Sequence, residues 1–381
     1  MMRPQSEEDL AGALAEATAP LRVRGGGTRD VGRPVVGDLL ETGGLTGIEL
    51  HEPGALTLVV RAGTPLSEVE AALDAHGQRL AFEPMDHRVL LGTGGAPTIG
   101  GVVAANVSGP RRIAVGACRD FLLGVRFVDG SGTIVKNGGR VMKNVTGYDL
   151  VKLMAGSWGC LGVLTEVSLK VLARPATEAT LVATGKDAAA GVAALSAALT
   201  SPFDVTGAAH LAVEEGRSET RVRIEGMPGS VAYRIDALRA GPCAGWDVVR
   251  DDESAVLWTE VRDVAPLAAR SGAVWRISVK PSDGPVLTAA LAAQGIGEAA
   301  LYDWGGGLVW LLVAEDGDAG AAAIRAQVAA LGGHATLVRA APATRAALPV
   351  FQPQSNGVAA LDRAIRAKFD PRGILNPGLM D

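Results

Sequence analysis

Three loops rich in glycine and other small residues constrain the fold of this chain more than any other sequence feature. They occupy residues 22–28, 98–109 and 156–166, and the first and third adjoin predicted strands. Glycine has no Cβ, so the backbone of such loops can approach a bound group closely and can point successive N–H groups at phosphate oxygens. One such loop is more often an ordinary turn. Three in one domain favour a single long ligand that contacts the backbone at many positions.

Glycine is also frequent in the chain as a whole, with 50 of 381 residues, against a typical ~7%. Many backbone positions that need positive φ or close approach would explain this excess. A genome rich in Gly, Ala and Arg codons would explain it as well, since only seven of the 36 basic residues are lysine. Both explanations apply.

Charge and hydropathy exclude several classes of protein. The net charge is −5 and the isoelectric point is near 5.7, with no basic stripe, which argues against a nucleic-acid partner. No apolar run reaches the ~18 residues that a transmembrane helix requires. The acidic segment 1–20 lacks the basic start of a secretory signal. We therefore expect a cytoplasmic protein with no membrane span of its own.

The cysteines and histidines indicate neither a disulfide framework nor a metal site. Cys118, Cys160 and Cys243 lie far apart and without CxxC spacing, so each is predicted to be a small buried residue. The same spacing argues against an iron–sulfur cluster held by this chain alone. The five histidines form no HxH or HxxxH pair, so no metal site is predicted from local sequence.

The texture of the sequence changes at Arg174-Pro175. Before it, short strands alternate with glycine loops; after it, strands alternate with Ala-rich helices up to about Val338. That second pattern is typical of an antiparallel α+β unit. An amphipathic helix is predicted at 361–369, followed by a tail that contains Asn376-Pro377-Gly378.

The three loops and this tail, taken in order, resemble the FAD-binding domain of the vanillyl-alcohol oxidase/para-cresol methylhydroxylase (PCMH) superfamily. The resemblance implies an α+β fold with a two-part PCMH-type FAD-binding domain and an antiparallel α+β cap domain. It implies that 1–175 bind FAD, that 176–339 form the cap or substrate domain, and that 340–381 return to the FAD-binding domain.

The same resemblance implies which residues contact FAD and how FAD is held. Some members carry a covalent histidine beside the first loop, where this chain has Gly25 and Gly26, so the cofactor is expected to be non-covalent FAD. The implied cofactor-binding residues are Arg24, Gly25, Gly26, Gly27, Thr28, Arg29, Thr98, Ile99, Gly100, Gly101, Ala104, Asn106, Ser108, Gly109, Tyr148, Gly159, Gly162, Val163 and Asn376.

A narrower resemblance covers nearly the whole chain. Segments 109–112, 141–150, 275–278, 303–306 and 332–336 are similar to the smaller FAD-binding subunit of bacterial glycolate oxidase. That resemblance implies an oxidoreductase that acts on 2-hydroxy acids such as glycolate. It also implies a hetero-oligomer with a second FAD-containing subunit and an iron–sulfur subunit, cytoplasmic or peripheral to the inner membrane through those partners.

One departure from related D-2-hydroxyacid dehydrogenases leaves two functions open. Their cap domain carries an H-x-G-D-G-N-x-H run that supplies metal ligands, whereas the analogous strand here, 302–310, contains no histidine. The chain either passes a hydride from the substrate to its own FAD, or is a flavin-bearing structural or electron-relay subunit that oxidises no substrate. A stand-alone oxidase of another hydroxylated substrate is a third hypothesis.

Two basic residues are candidates for catalysis. Arg276 lies on the alternating strand 274–279, and its guanidinium could bind a substrate carboxylate through two hydrogen bonds. Lys280 could act similarly. For both residues, a solvent-facing or ion-paired position on the strand is the alternative. Asp303 and Trp304 could line the flavin pocket or pack in the core.

Overall fold

A computed structural model of the chain describes residues 1–140, 147–214 and 217–381. The segment 141–146, which belongs to one of the motifs above, lies outside the described residues. The N-terminal elements are, in chain order, α1 (Glu7–Glu16), β1 (Leu21–Arg24), β2 (Asp38–Glu41), β3 (Ile48–Glu52), β4 (Thr57–Arg61), α2 (Leu66–Asp74), β5 (Gln78–Arg79), α3 (His87–Leu91), α4 (Ile99–Ala104), α5 (Arg112–Val115), β6 (Leu122–Val128), β7 (Ile134–Gly138), α6 (Leu150–Met154), β8 (Val163–Lys170) and β9 (Leu172–Ala173).

A five-stranded antiparallel sheet organises this part, in the order β3-β4-β8-β6-β7. The predicted hairpin is confirmed: β6 pairs with β7, and the Asp129 carboxylate accepts hydrogen bonds from the Ser131 and Thr133 amides in the turn. The predicted first helix is also confirmed, and the Ser6 hydroxyl caps it by accepting from the Asp9 amide at 3.0 Å.

The second glycine-rich stretch differs from its prediction as a loop, because half of it is α4, Ile99–Ala104. The Thr98 hydroxyl caps this helix by accepting a hydrogen bond from the Gly101 amide. A Cβ on Gly100 would lie 2.6 Å from the Ala62 Cβ and 2.7 Å from the Ala62 carbonyl oxygen. Glycine is therefore needed here because the helix packs against the end of β4, a tertiary contact that a local pattern does not show.

An eight-stranded antiparallel sheet follows, in the order β13-β10-β12-β11-β15-β16-β14-β17. The elements of the C-terminal part are β10 (Thr177–Thr184), α7 (Ala188–Leu199), β11 (Gly207–Glu214), β12 (Arg217–Gly226), α8 (Pro228–Arg239), β13 (Asp247–Arg250), α9 (Asp251–Arg262), α10 (Ala265–Ala268), β14 (Ala273–Ser278), α11 (Asp283–Ala292), β15 (Ala299–Asp303), β16 (Leu308–Val313), α12 (Ala321–Leu331), β17 (His334–Arg339), α13 (Pro342–Ala347) and α14 (Asn356–Phe369). The sequence patterns did not predict β13 and α9, and α14 starts five residues before its predicted start.

The C-terminal tail packs against the N-terminal part of the molecule. The Leu21 amide donates to the Ile374 carbonyl at 2.7 Å, and the Asn376 amide donates to the Leu21 carbonyl at 3.0 Å. Ile374 and Leu375 join a buried cluster with Leu10 and Leu14 of α1. These contacts put the two ends of the chain on one side of the molecule.

A group of buried ion pairs links the N-terminal part to the eight-stranded sheet. Arg223 donates two hydrogen bonds to Glu83, each at 2.9 Å. Glu225 pairs with Arg79 at 2.7 Å and also with Arg111. Because Arg223 and Glu225 belong to β12 whereas the other three precede β6, these charges hold the two parts in one arrangement.

The three cysteines are free and buried, as predicted, and burial raises the pKa of the Cys118 and Cys160 thiols to about 12. Across the described ranges, no helix is both long and apolar enough to cross a membrane.

Candidate active site: a backbone-lined cleft beside a cationic pocket

An elongated cleft of about 670 Å³ runs between the first glycine loop, the start of α4 and the third loop. The residues on its wall that were predicted to bind the cofactor are Arg24, Gly25, Gly26, Gly27, Thr28, Arg29, Thr98, Gly100, Gly101, Ala104, Gly159, Gly162, Val163 and Asn376. The structure thus brings three distant segments to one surface: the first loop, the third loop about 130 residues later, and the tail more than 200 residues after that.

Backbone packs directly on backbone along this wall. A Cβ on Gly26 would lie 1.5 Å from the Ala96 carbonyl oxygen, and one on Gly95 would lie 2.0 Å from the Gly26 carbonyl oxygen. No side chain fits between the two loops. The glycine at 26 is therefore required by the protein's own packing as well as by any bound phosphate.

Asn376 ties three walls of the cleft together. Its side-chain oxygen accepts a hydrogen bond from the Val23 amide at 2.8 Å, and its side-chain nitrogen donates to the Trp158 carbonyl at 2.8 Å. These two bonds join the C-terminal tail to the first loop and to the third loop. The contact of Asn376 with the cofactor stays a prediction.

Arg29 marks one end of the cleft as a site for negative charge. Its Nε and Nη2 atoms are buried and have no hydrogen-bond partner among the described residues, and Nη1 lies 3.3 Å from where a Cβ on Gly101 would be. Burial lowers the pKa of this guanidinium to about 10, so it is charged at neutral pH. A cleft lined by backbone, with a cation on its wall that has two nitrogens without a partner among the described residues, fits a ligand that carries a diphosphate.

Five predicted cofactor residues do not line this cleft. Ile99 is buried in the core, and Gly109 donates its amide to the Phe82 carbonyl. The Asn106 side chain accepts from the Arg119 amide, and the Ser108 hydroxyl accepts from the Cys118 amide, so both hold loop backbone in place. Tyr148 is 88% exposed and follows the segment outside the described residues. Their contact with the cofactor stays a prediction.

Three half-buried side chains, Arg112, Arg276 and Trp304, meet where α5 approaches the eight-stranded sheet, and this cluster is called the cationic pocket below. The Arg112 guanidinium lies 4.6 Å from the ring centre of Trp304, and the Arg276 guanidinium lies 5.2 Å from it. Trp304 is fixed in turn by the hydrogen bond from its Nε1 to the Gly109 carbonyl, at 3.1 Å. Two guanidiniums, Arg112 from the N-terminal part and Arg276 from the eight-stranded sheet, therefore lie near one indole, and cation–π attraction stabilises both.

Arg276 has no hydrogen bond or ion pair among the described residues; its contacts are the rings of Trp304 and, at 6.0 Å, Trp310. Burial, and then the neighbouring charge of Arg112, lowers its pKa to about 10, which still leaves it charged at neutral pH. Arg276 is half-buried, and a partly desolvated cation without an anion favours a ligand that supplies negative charge. The pocket is thus suited to a carboxylate.

The other groups near this pocket only partly balance its charge. Burial raises the pKa of Asp303 to about 7, and its carboxylate accepts a hydrogen bond from the Trp304 amide at 2.7 Å. His334 lies opposite Ser278 in the register of the sheet and is exposed. Lys280, the other candidate for catalysis, is exposed just after β14. Its catalytic role stays a prediction.

Two residues of this region carried no prediction. Arg112 lies within segment 109–112, which is similar to the glycolate oxidase subunit, but no role was predicted for this arginine. His87, at the start of α3, is buried, and its Nδ1 lies 3.3 Å from the Met85 carbonyl oxygen. Nothing in the local pattern around His87 distinguishes it from a structural histidine.

Comparisons with known proteins agree with this geometry. Residues 1–138 match the family described as FAD binding domain. The solved structure of alkyldihydroxyacetonephosphate synthase aligns with a TM-score of 0.69 at 16% identity, covering 98% of this chain and 76% of that one. The molecule is thus a flavoprotein with the PCMH-type FAD-binding fold and an antiparallel cap, as expected from its loops.

Sequence relatives show to which family of flavoproteins the chain belongs. The chain is 36% identical over 379 residues to the glycolate oxidase subunit GlcE of Escherichia coli, covering 98% of this chain and 95% of that protein. It belongs to the same family and is an FAD-dependent oxidoreductase. The glycolate oxidase subunit GlcD of Bacillus subtilis is 30% identical over 193 residues, or 48% of this chain and 39% of that protein. A D-lactate dehydrogenase of Archaeoglobus fulgidus is 31% identical over 177 residues, or 45% and 38%.

Proposed function

We propose that this chain oxidises a 2-hydroxy acid such as glycolate, with FAD in the cleft and the substrate carboxylate on Arg276. The observation that carries the proposal is the half-buried guanidinium of Arg276, which has no hydrogen bond or ion pair among the described residues and shares the Trp304 ring with Arg112. The names of the relatives support the substrate class, since they act on glycolate and D-lactate.

The chain's own residues would bind and orient the substrate. When bound, FAD supplies the acceptor for the hydride. Arg276 has the planar donor geometry that a carboxylate matches, and Arg112 adds a second positive charge nearby. Trp304 keeps both guanidiniums in place, so little side-chain freedom is lost when the substrate binds. The half-buried position of these three side chains partly excludes water and so strengthens each of these charge interactions.

FAD is proposed to be held without a covalent bond. The first loop would hold the diphosphate through its amides, and Arg29 would supply charge at the end of the cleft. Acid precipitation of the purified protein should therefore release all of its flavin into the supernatant. Flavin that stays with the pellet would contradict this.

The division of the chain is proposed to follow this chemistry. Residues 1–175 and the tail from 340 would form the FAD-binding domain, and 176–339 would form the cap that brings Arg276 to it. The supporting facts are that every strand of the eight-stranded sheet falls within 177–339 and that the tail hydrogen-bonds to β1.

The partners are proposed from the relatives and from the cysteine spacing. Two glycolate oxidase subunits resemble this chain to different extents, which supports a complex with a second FAD-containing subunit. Electrons would leave through an iron–sulfur subunit, in the cytoplasm or at the inner membrane. The second candidate function, a flavin-bearing relay subunit that oxidises no substrate, is favoured by the lack of histidine in 302–310.

The test is flavin reduction measured without oxygen, with the FAD-loaded chain and its partner subunits. Glycolate, D-lactate or D-2-hydroxyglutarate is added, and kcat/KM is measured for wild type and for Arg276→Ala. Loss of the charge-assisted contact should lower kcat/KM by about 30-fold to several thousand-fold, equivalent to about 2–5 kcal/mol. Arg276→Lys should not restore it fully, because an ammonium cannot form two parallel bonds.

Arg239→Ala is the matched control, because this arginine is exposed at the C-terminal end of α8. It should leave kcat/KM within about twofold of wild type. Unchanged kinetics in Arg276→Ala would place substrate oxidation in the partner flavoprotein and favour the relay function for this chain.

A further inference from the structure

The turn 303–306, between β15 and β16, brings a strained backbone to the cationic pocket. Trp304 has a φ of 53°, in the left-handed region that a bulky residue rarely adopts, and Gly305 follows with a φ of 69°. A Cβ on Gly305 would lie 2.5 Å from a methyl carbon of Leu199, so tertiary packing holds the turn in this shape. Strain of this kind clusters at ligand sites, where it fixes the direction of a side chain.

This turn positions the carboxylate of Asp303, a buried residue. Its Oδ1 accepts the hydrogen bond from the Trp304 amide at 2.7 Å. Its Oδ2 makes no hydrogen bond and no ion pair among the described residues, although it is not sealed from solvent. The carboxylate thus has one oxygen that stabilises the fold and one that can accept a hydrogen bond from a ligand.

The register of the sheet places Asp303 on the same face as Arg276. Asp303 pairs with Leu308 of β16, which pairs in turn with Ser278 of β14. Arg276 lies two residues before Ser278 on that strand. Paired residues point to one face of a sheet, and so do residues two apart on a strand. Because only β16 separates the strands of Asp303 and Arg276, their backbones are roughly 10 Å apart.

Asp303 and Arg276 both contact Trp304 without pairing with each other. The guanidinium lies 5.2 Å from the centre of the indole, the carboxylate accepts from the backbone amide, and no ion pair joins the two charges. The space between them suits a 2-hydroxy acid, because its carboxylate matches a guanidinium and its hydroxyl is attached to the next carbon. A carboxylate on Arg276 would thus bring the hydroxyl towards Oδ2 of Asp303.

The charge balance of the pocket favours this arrangement. Arg112 and Arg276 supply two positive charges and the ionised Asp303 supplies one negative charge, so a substrate carboxylate makes the group neutral. Burial raises the pKa of Asp303 to about 7, which is close to the value that a base working at neutral pH requires.

We propose that Asp303 is a catalytic residue whose Oδ2 accepts the proton of the substrate hydroxyl. This inference rests on the proposed function, with the substrate carboxylate on Arg276. The step balances: the O–H bond breaks and its proton goes to Oδ2, the C2–H bond gives its hydrogen and electron pair to oxidised FAD, and the C–O bond becomes the carbonyl of a 2-oxo acid. The proton on Asp303 is released to solvent before the next turnover.

Two ligands that cannot be oxidised test the contact at equilibrium. 2-Hydroxyisobutyrate has the carboxylate and the hydroxyl but no hydrogen on C2, and isobutyrate has the same carbon skeleton without the hydroxyl. Binding of each to the FAD-loaded chain is followed by the change in the flavin absorption spectrum at pH 8, where Asp303 is mostly ionised. Wild type should bind the hydroxy acid about tenfold more tightly, the preference that one hydrogen bond confers.

Asp303→Asn separates proton transfer from the structural role of this residue. The amide oxygen can still accept from the Trp304 amide, but the side chain cannot take up a proton. FAD content and the Kd for isobutyrate should stay within about twofold of wild type, whereas glycolate should reduce the flavin about 10²- to 10⁴-fold more slowly. Asp187→Asn is the matched control, because Asp187 also accepts a backbone amide at 2.7 Å, as the cap of α7, but is exposed. It should reduce flavin at the wild-type rate.

Asp303→Ala removes the acceptor itself and should bind both ligands with one Kd. A tenfold preference that survives in this variant would overturn the inference. A wild-type rate of flavin reduction in Asp303→Asn would overturn it as well. If Asp303→Asn lost FAD, or weakened isobutyrate as much as it slowed flavin reduction, Asp303 would only hold Trp304 in place and the inference would fail.

The wild-type protein distinguishes this inference from the function on which it rests. Arg276→Ala should weaken both ligands by the same factor, because each carries the same carboxylate. Wild type binding both ligands equally would overturn the role of Asp303 and leave the carboxylate site intact. Wild type binding neither ligand would remove both proposals.

Discussion

The cleft and the cationic pocket are built by different means, although they adjoin one another. The cleft is lined by loop backbone, with glycine wherever two loops touch, as between Gly26 and Ala96. The pocket is made of side chains, Arg112 from one part of the chain and Arg276 and Trp304 from the other. Both sites bring distant segments together, but the cleft is fixed by backbone contacts between its loops, whereas the pocket depends on side chains from two segments. Substitutions in the two sites should therefore have different effects on FAD content and on stability.

The largest effect is expected in the cleft, from Gly26→Val. A Cβ there would lie 1.5 Å from the Ala96 carbonyl oxygen, so the first loop must move and its amides leave the position that the diphosphate needs. We expect no FAD in the purified variant, measured as the ratio of flavin to protein absorbance.

Gly94→Ala is the control, because this residue also lines the cleft but a Cβ there would contact nothing within 4 Å. It should keep the FAD content of wild type. Full FAD content in Gly26→Val would show that the first loop does not hold the diphosphate. It would also contradict the view that the cleft depends on backbone position.

The next effect is expected from the ion pairs that hold the pocket together. Glu225→Gln would leave Arg79, Arg111 and Arg223 without one of their buried anions. Removing one partner of a buried pair destabilises a protein by about 3–5 kcal/mol. We expect that loss in the free energy of unfolding measured with urea, with FAD content nearly unchanged because the cleft is built by backbone.

Glu49→Gln removes a surface pair with Arg61 and should change the free energy of unfolding by less than about 1 kcal/mol. If Glu225→Gln were equally mild, the buried charges would not determine how the two parts are held.

The smallest effect concerns Asp303, beside the pocket. Burial raises its pKa to about 7 in the folded protein, above the unfolded value of about 3.9. The folded state therefore binds this proton more tightly, so the contribution to stability is fully present below about pH 4 and is lost as the pH rises through 7. Asp303→Asn should abolish this loss, which amounts to at most about 4 kcal/mol.

The measurement is the free energy of unfolding of both proteins at pH 5 and at pH 8. The difference between variant and wild type should be more favourable to the variant at pH 8 than at pH 5. The same difference at both pH values would mean that Asp303 is ionised throughout this range and that the pocket is less buried than its contacts indicate.

Most of the predicted cofactor residues line the cleft, because glycine-rich loops are recognisable in short segments of sequence. Turns and caps such as those at Ser6 and Asp129 depend on residues a few positions apart, whereas the close approach at Gly26 is to Ala96 in a distant segment. Prediction was less accurate where a tertiary contact determines the residue type. The segment of α4 was predicted as a loop because of its glycines, and Gly100 is explained only by the packing of the helix on Ala62. The helix α9 was missed although it follows β13 directly.

By itself, the sequence determined the class of this protein: a PCMH-type flavoprotein with a second α+β unit, since glycine loops and their order are written in short segments. The tertiary structure alone decided which side chains meet at the pocket. Arg112 and Arg276 are 164 positions apart in the sequence, and no sequence pattern relates them. They meet only because both guanidiniums lie near the indole of Trp304. Backbone geometry is local and readable from sequence, whereas the electrostatic field at a buried atom is a sum over the whole fold.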